Sequence, residues 1–213
     1  MNIAILIVLA YLLGSIPTAV WVSKRFYGID IREHGSGNAG ATNTFRILGT
    51  KAGSAVMFVD MLKGFLAVKL SVLSSLTWYS EPFVNLQVGL GLASVVGHIF
   101  PIWANFRGGK GIATLFGMIL GIQPLVAASL VAVFLCMLML TRYVSLSSIC
   151  ASIAFPLLIL FIFREPETSY RIFAIATACL VVLTHYKNIS RLLNGSESKV
   201  PLFKKRRLRR RED

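Results

Sequence analysis

Three runs in this chain, Ile3–Leu13, Val126–Leu140 and Ile172–Leu183, contain no Asp, Glu, Lys or Arg. A helix rises about 1.5 Å per residue, so roughly 20 mainly apolar residues cross a hydrocarbon core about 30 Å thick. Several segments meet or approach that length. The whole chain agrees with them, being 55% hydrophobic and only 15% charged, with a mean hydropathy of +0.71. The expected fold class is therefore all-α: a polytopic membrane protein in place of one or two soluble domains.

Seven spans are expected. The first covers about Asn2 to Ser23 and is read as retained, since it runs into Gly14-Ser15-Ile16-Pro17 without a basic flank or an obvious cleavage site. The second covers roughly Ala52 to Leu76 and the third about Phe83 to Phe100. The apolar stretch Ile112 to Leu140 would make one helix about 43 Å long, too long for one crossing. Pro124 lies inside it and disrupts the turn before it, so the stretch is split into Ile112–Ile122 and Leu125–Thr141. The short piece must be shielded by neighbours or sit where the bilayer thins. Two more spans follow, about Leu146–Phe163 and Tyr170–His185.

Loop charge supports this count. Lys24, Arg25, Arg32, Arg46, Lys51, Arg107, Lys110, Arg142 and the C-terminal tail fall on one side. The other side holds Glu81, an uncharged Gln123-Pro124 turn, and Arg164 and Arg171 offset by Glu165 and Glu167. The positive-inside rule then predicts the N-terminus outside and the C-terminus cytoplasmic. Residues 1–195 are expected to form one membrane domain and residues 196–213 a basic cytoplasmic tail. The run Lys204–Arg211 supplies seven of the charges behind the net +13. Beside a bilayer it reads as a segment drawn to anionic headgroups, so nucleic acid is not an expected partner. Cys136, Cys150 and Cys179 are far apart, and no metal-ligand spacing is present.

The unusual sequences gather on the expected cytoplasmic face. Gly35-Ser36-Gly37-Asn38-Ala39-Gly40-Ala41-Thr42-Asn43 is followed by Arg46. Glycines let successive backbone N–H groups turn toward one centre, a nest for anions. Ser36, Asn38, Thr42 and Asn43 add side-chain donors, a short helix opening here would offer its N-terminus, and Arg46 presents a planar fork to phosphate oxygens. The second run, Arg107-Gly108-Gly109-Lys110-Gly111, resembles a phosphate loop in composition but lacks the spacing of the nucleotide-binding motif. A snorkelling lysine is the alternative there. Arg142 to Ser148 and His185 to Asn188 complete the set; hydroxyls in the former also suit helix caps, and His185 and His98 also suit structural roles. Asp60 and Lys63, three apart in the second span, are either functional or a buried ion pair. These patterns point to a site for a phosphorylated anion without specifying a reaction.

Taken in order, the motifs resemble the acyl-phosphate:glycerol-3-phosphate acyltransferase (PlsY) family. The resemblance is carried by Gly14–Thr18, Gly35–Asn43 with Arg46, Asp60–Gly64, Gly97-His98, Gly108–Thr114, Arg142–Ser148 and His185–Asn188. It implies a bacterial inner-membrane enzyme with its active site facing the cytoplasm. The reaction implied moves a fatty acyl group from acyl phosphate to the 1-hydroxyl of glycerol 3-phosphate, giving lysophosphatidic acid and phosphate. Acyl phosphate, glycerol 3-phosphate and membrane lipids are the implied partners, and no cofactor or metal is implied. It also implies catalytic roles for Ser36, Arg46, Lys110, Ser148, His185 and Asn188. Phosphate binding is expected of Gly35, Gly37, Asn38, Gly40, Thr42, Asn43, Lys63, Gly108 and Gly109. The proton acceptor is either His185 or a substrate phosphate oxygen. A transporter for an organic phosphate and a membrane scaffold are the rival readings.

Overall fold

The computed structural model describes residues 1–200, so the Lys204–Arg211 run lies outside the described residues. Ten α-helices make up the described chain, with no strand among the described residues. A helix occupies each of the seven expected segments. The first is broken: α1 (Ile3–Gly14) and α2 (Thr18–Tyr27) flank Ser15-Ile16-Pro17, where proline offers no N–H to continue the ladder. A short helix, α3 (Ala41–Leu48), follows the Gly-rich run, and α4 (Thr50–Lys69) begins immediately after Gly49. Next come α5 (Glu81–Ile99) and α6 (Ile112–Ile122). The expected split falls at Gln123, and Pro124 opens α7 (Pro124–Thr141). The helix α8 (Val144–Leu157) runs through Pro156 into a π-helical turn, Leu158–Ile162. Finally α9 (Thr168–Thr184) meets α10 (Tyr186–Leu193) at a 59° bend at His185.

Among the described residues, four helical stretches are long and apolar enough to cross a membrane, Ile3–Tyr27, Glu81–Ala104, Pro124–Thr141 and Val144–Ile162, and α9 with α10 passes the same test as a bent pair. The exterior is apolar as well. Ile5, Val8, Phe58, Leu125, Met139, Leu140, Ile172 and Leu183 are exposed, whereas Asp60, Lys63, Ser94, Thr114 and Ser147 are buried. That is the arrangement expected when the solvent around the helices is hydrocarbon. Several apolar helices with polar residues turned inward make this a multi-pass membrane protein.

The short α6 is shielded, as its length requires. Leu115, Met118 and Ile119 are buried with Val68 and Val95, in a cluster that continues through Phe155, Tyr170 and Phe173. Glycine allows α6 to approach α4 closely. A β-carbon on Gly64 would sit 2.1 Å from the Thr114 carbonyl oxygen, and one on Gly117 would sit 1.9 Å from that of Met61. Small residues at a crossing give membrane helices the backbone proximity that dispersion forces need. Gly117→Ala is therefore expected to cost about 1–3 kcal/mol by overpacking and to lower the thermal midpoint by several degrees in detergent. A midpoint equal to that of the unaltered protein would contradict this crossing.

Asp60 and Lys63 form the buried ion pair, with Lys63 Nζ 3.0 Å from Asp60 Oδ1. The pair serves the break between α1 and α2. Lys63 Nζ donates to the Ile16 carbonyl at 3.0 Å, and Thr18 Oγ1 donates to Asp60 Oδ1 at 3.1 Å. A carbonyl freed by a helix break in a membrane needs such a partner, since lipid offers none. Lys63, expected among the phosphate-binding residues, is corrected accordingly: its ammonium is 2% exposed and committed to Asp60 and Ile16.

Candidate active site

The Gly-rich run folds as a loop organised by Asn43. Its Nδ2 donates to the carbonyls of Ile31 (3.1 Å) and His34 (2.9 Å), while its Oδ1 accepts from the Ser36 amide at 3.0 Å. Gly35 and Gly37 take left-handed φ angles of 62° and 72°, which only glycine adopts without strain. A β-carbon on Gly35 would also lie 2.4 Å from Asn43 Oδ1. Asn43, expected to contact phosphate, is fully buried and holds the loop in shape instead. The Asn38 side chain lies over Gly40, which precedes α3 without any side-chain cap. The first amides of α3 therefore keep unpaired N–H groups aimed beyond the helix end. Ser36, Thr42 and Arg46 are exposed. Thr42 and Arg46 are four residues apart on α3 and so share one face.

The second loop docks onto the end of α5. Gly108 donates its amide to the Ile99 carbonyl (3.1 Å) and Gly109 to that of His98 (3.2 Å). No side chain fits at either position, for a β-carbon on Gly108 would lie 2.0 Å from the His98 carbonyl oxygen. Gly111, at φ 77°, then opens α6, again without a side-chain cap. The two loops touch. Arg32 Nη1 donates to the Ala104 carbonyl at 3.0 Å, and the Ala39 carbonyl lies 2.9 Å from where a Gly109 β-carbon would be.

Lys110 joins this pair of loops to α10, its Nζ donating to Asn188 Oδ1. Asn188 Nδ2 donates in turn to Glu197 Oε1 at 2.7 Å. The same carboxylate accepts from Ser145 Oγ (2.8 Å) and Arg191 Nε (2.6 Å). One amide thus reads a cation on its oxygen side and an anion on its nitrogen side, which fixes its orientation. Burial opposes the charge on Glu197, but donation from Arg191, Asn188 and Ser145 outweighs it and holds the carboxyl below its usual range. Residues 199 and 200 continue over the site: the Val200 amide donates to the Arg142 carbonyl (2.9 Å), and Lys199 Nζ lies 5.2 Å from the Tyr143 ring centroid.

His185 and Ser148 are both buried, at 4% and 8% exposure. His185 Nδ1 lies 2.8 Å from the Val181 carbonyl oxygen, which can only accept. In the neutral ring, Nδ1 therefore carries the hydrogen and Nε2 presents a lone pair. A hydroxyl donating to Nε2 would have its oxygen turned toward an electrophile.

The structure thus brings together Gly109, Lys110, Asn188 and the first loop. It adds Ser145, from within the Arg142–Ser148 run, and two residues outside every motif, Arg191 and Glu197. Glu197 had one visible signal, being the only carboxylate between Glu167 and Glu212 in a strongly basic stretch. The segment assigned to a separate tail from residue 196 reaches into the site through it.

Burial lowers the pKa of Lys110 to about 8; the nearby Arg191 charge acts in the same direction and Glu197 partly offsets them. The protonated amine is the form that attracts an anion, so anion-dependent activity is expected to be full below pH 8 and to fall as pH rises through it. A bound phosphate favours the ammonium, so the alkaline limb should appear earlier in kcat/KM than in kcat. Lys110→Arg should move that limb beyond pH 10, because guanidinium stays charged. A limb at the same pH in the arginine variant would assign it to another group.

Residues 4–195 match the model of the glycerol-3-phosphate acyltransferase family. A glycerol-3-phosphate acyltransferase from Salinibacter ruber is 44% identical over 95% of this chain and 94% of its own length. One from Streptococcus pyogenes is 41% identical over 94% of each chain. Among solved structures, the crystal structure of PlsY (YgiH), an integral membrane glycerol 3-phosphate acyltransferase, superposes in its glycerol 3-phosphate form. That match has a TM-score of 0.83 and 38% identity over 93% of this chain and 95% of that one. Its lysophosphatidic acid form gives 0.80 at the same identity, over 92% and 94%. With the fold, the ordered motifs and these relatives in agreement, the chain belongs to the glycerol-3-phosphate acyltransferase family.

Proposed function

We propose that this protein transfers a fatty acyl group from acyl phosphate to the 1-hydroxyl of glycerol 3-phosphate, releasing lysophosphatidic acid and inorganic phosphate. The observation that carries the reading is the pairing of two glycine-built, uncapped helix starts with Lys110 and, through Asn188 and Glu197, Arg191. One anion needs one such loop; a reaction between two phosphorylated substrates needs two. The solved relatives named for glycerol 3-phosphate and lysophosphatidic acid forms support the same substrate and product.

Acyl phosphate is a mixed anhydride, already activated, so no covalent enzyme nucleophile is required. The protein's task is to hold two repelling anions together and to stabilise charge as it develops. The first loop, with Ser36, Asn38 and the α3 amides, takes the acyl phosphate. Lys110 and Arg46 neutralise phosphate charge. Asn188, Ser148 and His185 place glycerol 3-phosphate, with His185 Nε2 accepting from its hydroxyl. That oxygen attacks the acyl carbonyl carbon, the carbonyl–phosphate C–O bond breaks, and the hydroxyl proton passes by way of His185 Nε2 to the departing phosphate, which leaves the ring neutral again. The acyl chain remains between helices, open to lipid.

The same reading has seven spans, an external N-terminus and a site on the cytoplasmic face of a bacterial inner membrane; the distribution of Lys and Arg between the loops supports that orientation. Vesicles containing the purified protein test the reading against transport. Radiolabelled glycerol 3-phosphate supplied with acyl phosphate should pass into the lipid fraction; label accumulating unchanged in the lumen would contradict it.

A further inference from the structure

The loop bearing Lys110 rests on a histidine that the mechanism above does not use. His98 ends α5 and is 7% exposed. Its carbonyl accepts the Gly109 amide, and its imidazole edge meets the same residue: Nε2 lies 2.3 Å and Cε1 3.2 Å from where a Gly109 β-carbon would stand. The ring therefore fills the space under the residue preceding Lys110. Its opposite edge faces α4, with Nδ1 3.6 Å from Asp60 Oδ1. Asp60 is itself fixed by Thr18 and Lys63, and Lys63 by the Ile16 carbonyl. A chain of polar contacts thus runs from the break in the first span, through Asp60, to the underside of the phosphate loop. The Ala39 carbonyl of the first loop closes on the same side of Gly109.

We propose that His98, oriented by Asp60, is a positioning residue: it sets the height of Gly109 and so the place at which Lys110 meets substrate phosphate. An imidazole held at one nitrogen and packed at the other resists rotation, whereas an aliphatic side chain of similar size would not be held by the carboxylate. The role is exercised through the loop and not on the reacting atoms, so it belongs in affinity for the phosphorylated acceptor. The inference rests on the reading that Lys110 binds that phosphate.

The test uses the full chain in liposomes, with acyl phosphate fixed at saturation and glycerol 3-phosphate varied, for the unaltered protein, Lys110→Ala, His98→Ala, His98→Gln and Asp60→Asn. His98→Ala and Asp60→Asn should raise KM for glycerol 3-phosphate about ten- to a hundredfold, the scale of an ångström-sized misplacement, with kcat changed far less. His98→Gln, whose amide fills the place of Nε2 but leaves Asp60 without the Nδ1 contact, should restore only part of the lost affinity. An unchanged KM in His98→Ala would overturn the proposal, as would His98→Gln losing as much affinity as His98→Ala. If His98→Ala does not insert, a normal KM in both His98→Gln and Asp60→Asn overturns it equally. Unaltered kinetics in Lys110→Ala would instead remove the phosphate-loop reading beneath it. A crippled Lys110→Ala beside normal His98 variants would remove this inference alone.

Discussion

Lys110→Ala is expected to lower kcat/KM for glycerol 3-phosphate by about a thousandfold, the scale reached when one preorganised charged donor is lost from a water-poor site. The ammonium stands where the two loops meet α10, and its loop cannot shift to compensate because Gly108 and Gly109 are pinned to the α5 carbonyls. Removing it also strips Asn188 of the donor that fixes its amide, leaving that group free to turn. Lys110→Arg should recover part of the activity through charge alone, since the longer planar head does not reproduce a point donor to Asn188. Steady-state kinetics on correctly inserted protein measure this directly. Near-normal activity in Lys110→Ala would show that the second loop is not where substrate phosphate sits.

His185→Ala is the second large effect, expected as a fall of at least about a hundredfold, concentrated in kcat. The ring is buried, and its Nδ1 is spent on the Val181 carbonyl, so only Nε2 can act on a substrate. Its proposed task is to accept the hydroxyl's hydrogen bond, which aims the oxygen, and to relay that proton to the departing phosphate. Losing the acceptor costs alignment in the transition state more than binding of the ground state. A rise in KM with unchanged kcat would assign His185 to uniform binding and contradict that task.

Much of the architecture was readable from local chemistry. Pro124 removes a helix hydrogen bond at one identifiable position, and an apolar run too long for one crossing had to break somewhere; both arguments meet at Gln123, where the helix ends. The first Gly-rich run was expected to turn its backbone amides toward one centre, and Gly35 and Gly37 there take left-handed φ angles that no other residue takes cheaply. What could not be read was direction. Asp60 and Lys63 stand three apart on one helix face, but spacing does not reveal what that face meets: the broken backbone of the first span and not a substrate. Asn43 sits in a run of apparent phosphate donors, and only the folded loop shows its amide turned inward to Ile31 and His34.

Glu197 was hidden for a related reason. Its partners are Asn188, 9 residues away, and Ser145, 52 away, and the dense positive charge that follows it dominates any local reading. Pairings between distant segments are fixed by packing of whole helices, which no short window contains. The same holds for His98 and Asp60, which only the crossing of α4 and α5 brings together.

The most direct measurement supplies purified protein in liposomes with glycerol 3-phosphate and either palmitoyl phosphate or palmitoyl-CoA, and follows phosphate release together with lysophosphatidic acid. Equal amounts of the two products from palmitoyl phosphate, and none from the thioester, are predicted. Lysophosphatidic acid formed from palmitoyl-CoA, or no product from palmitoyl phosphate by folded protein, would contradict the account.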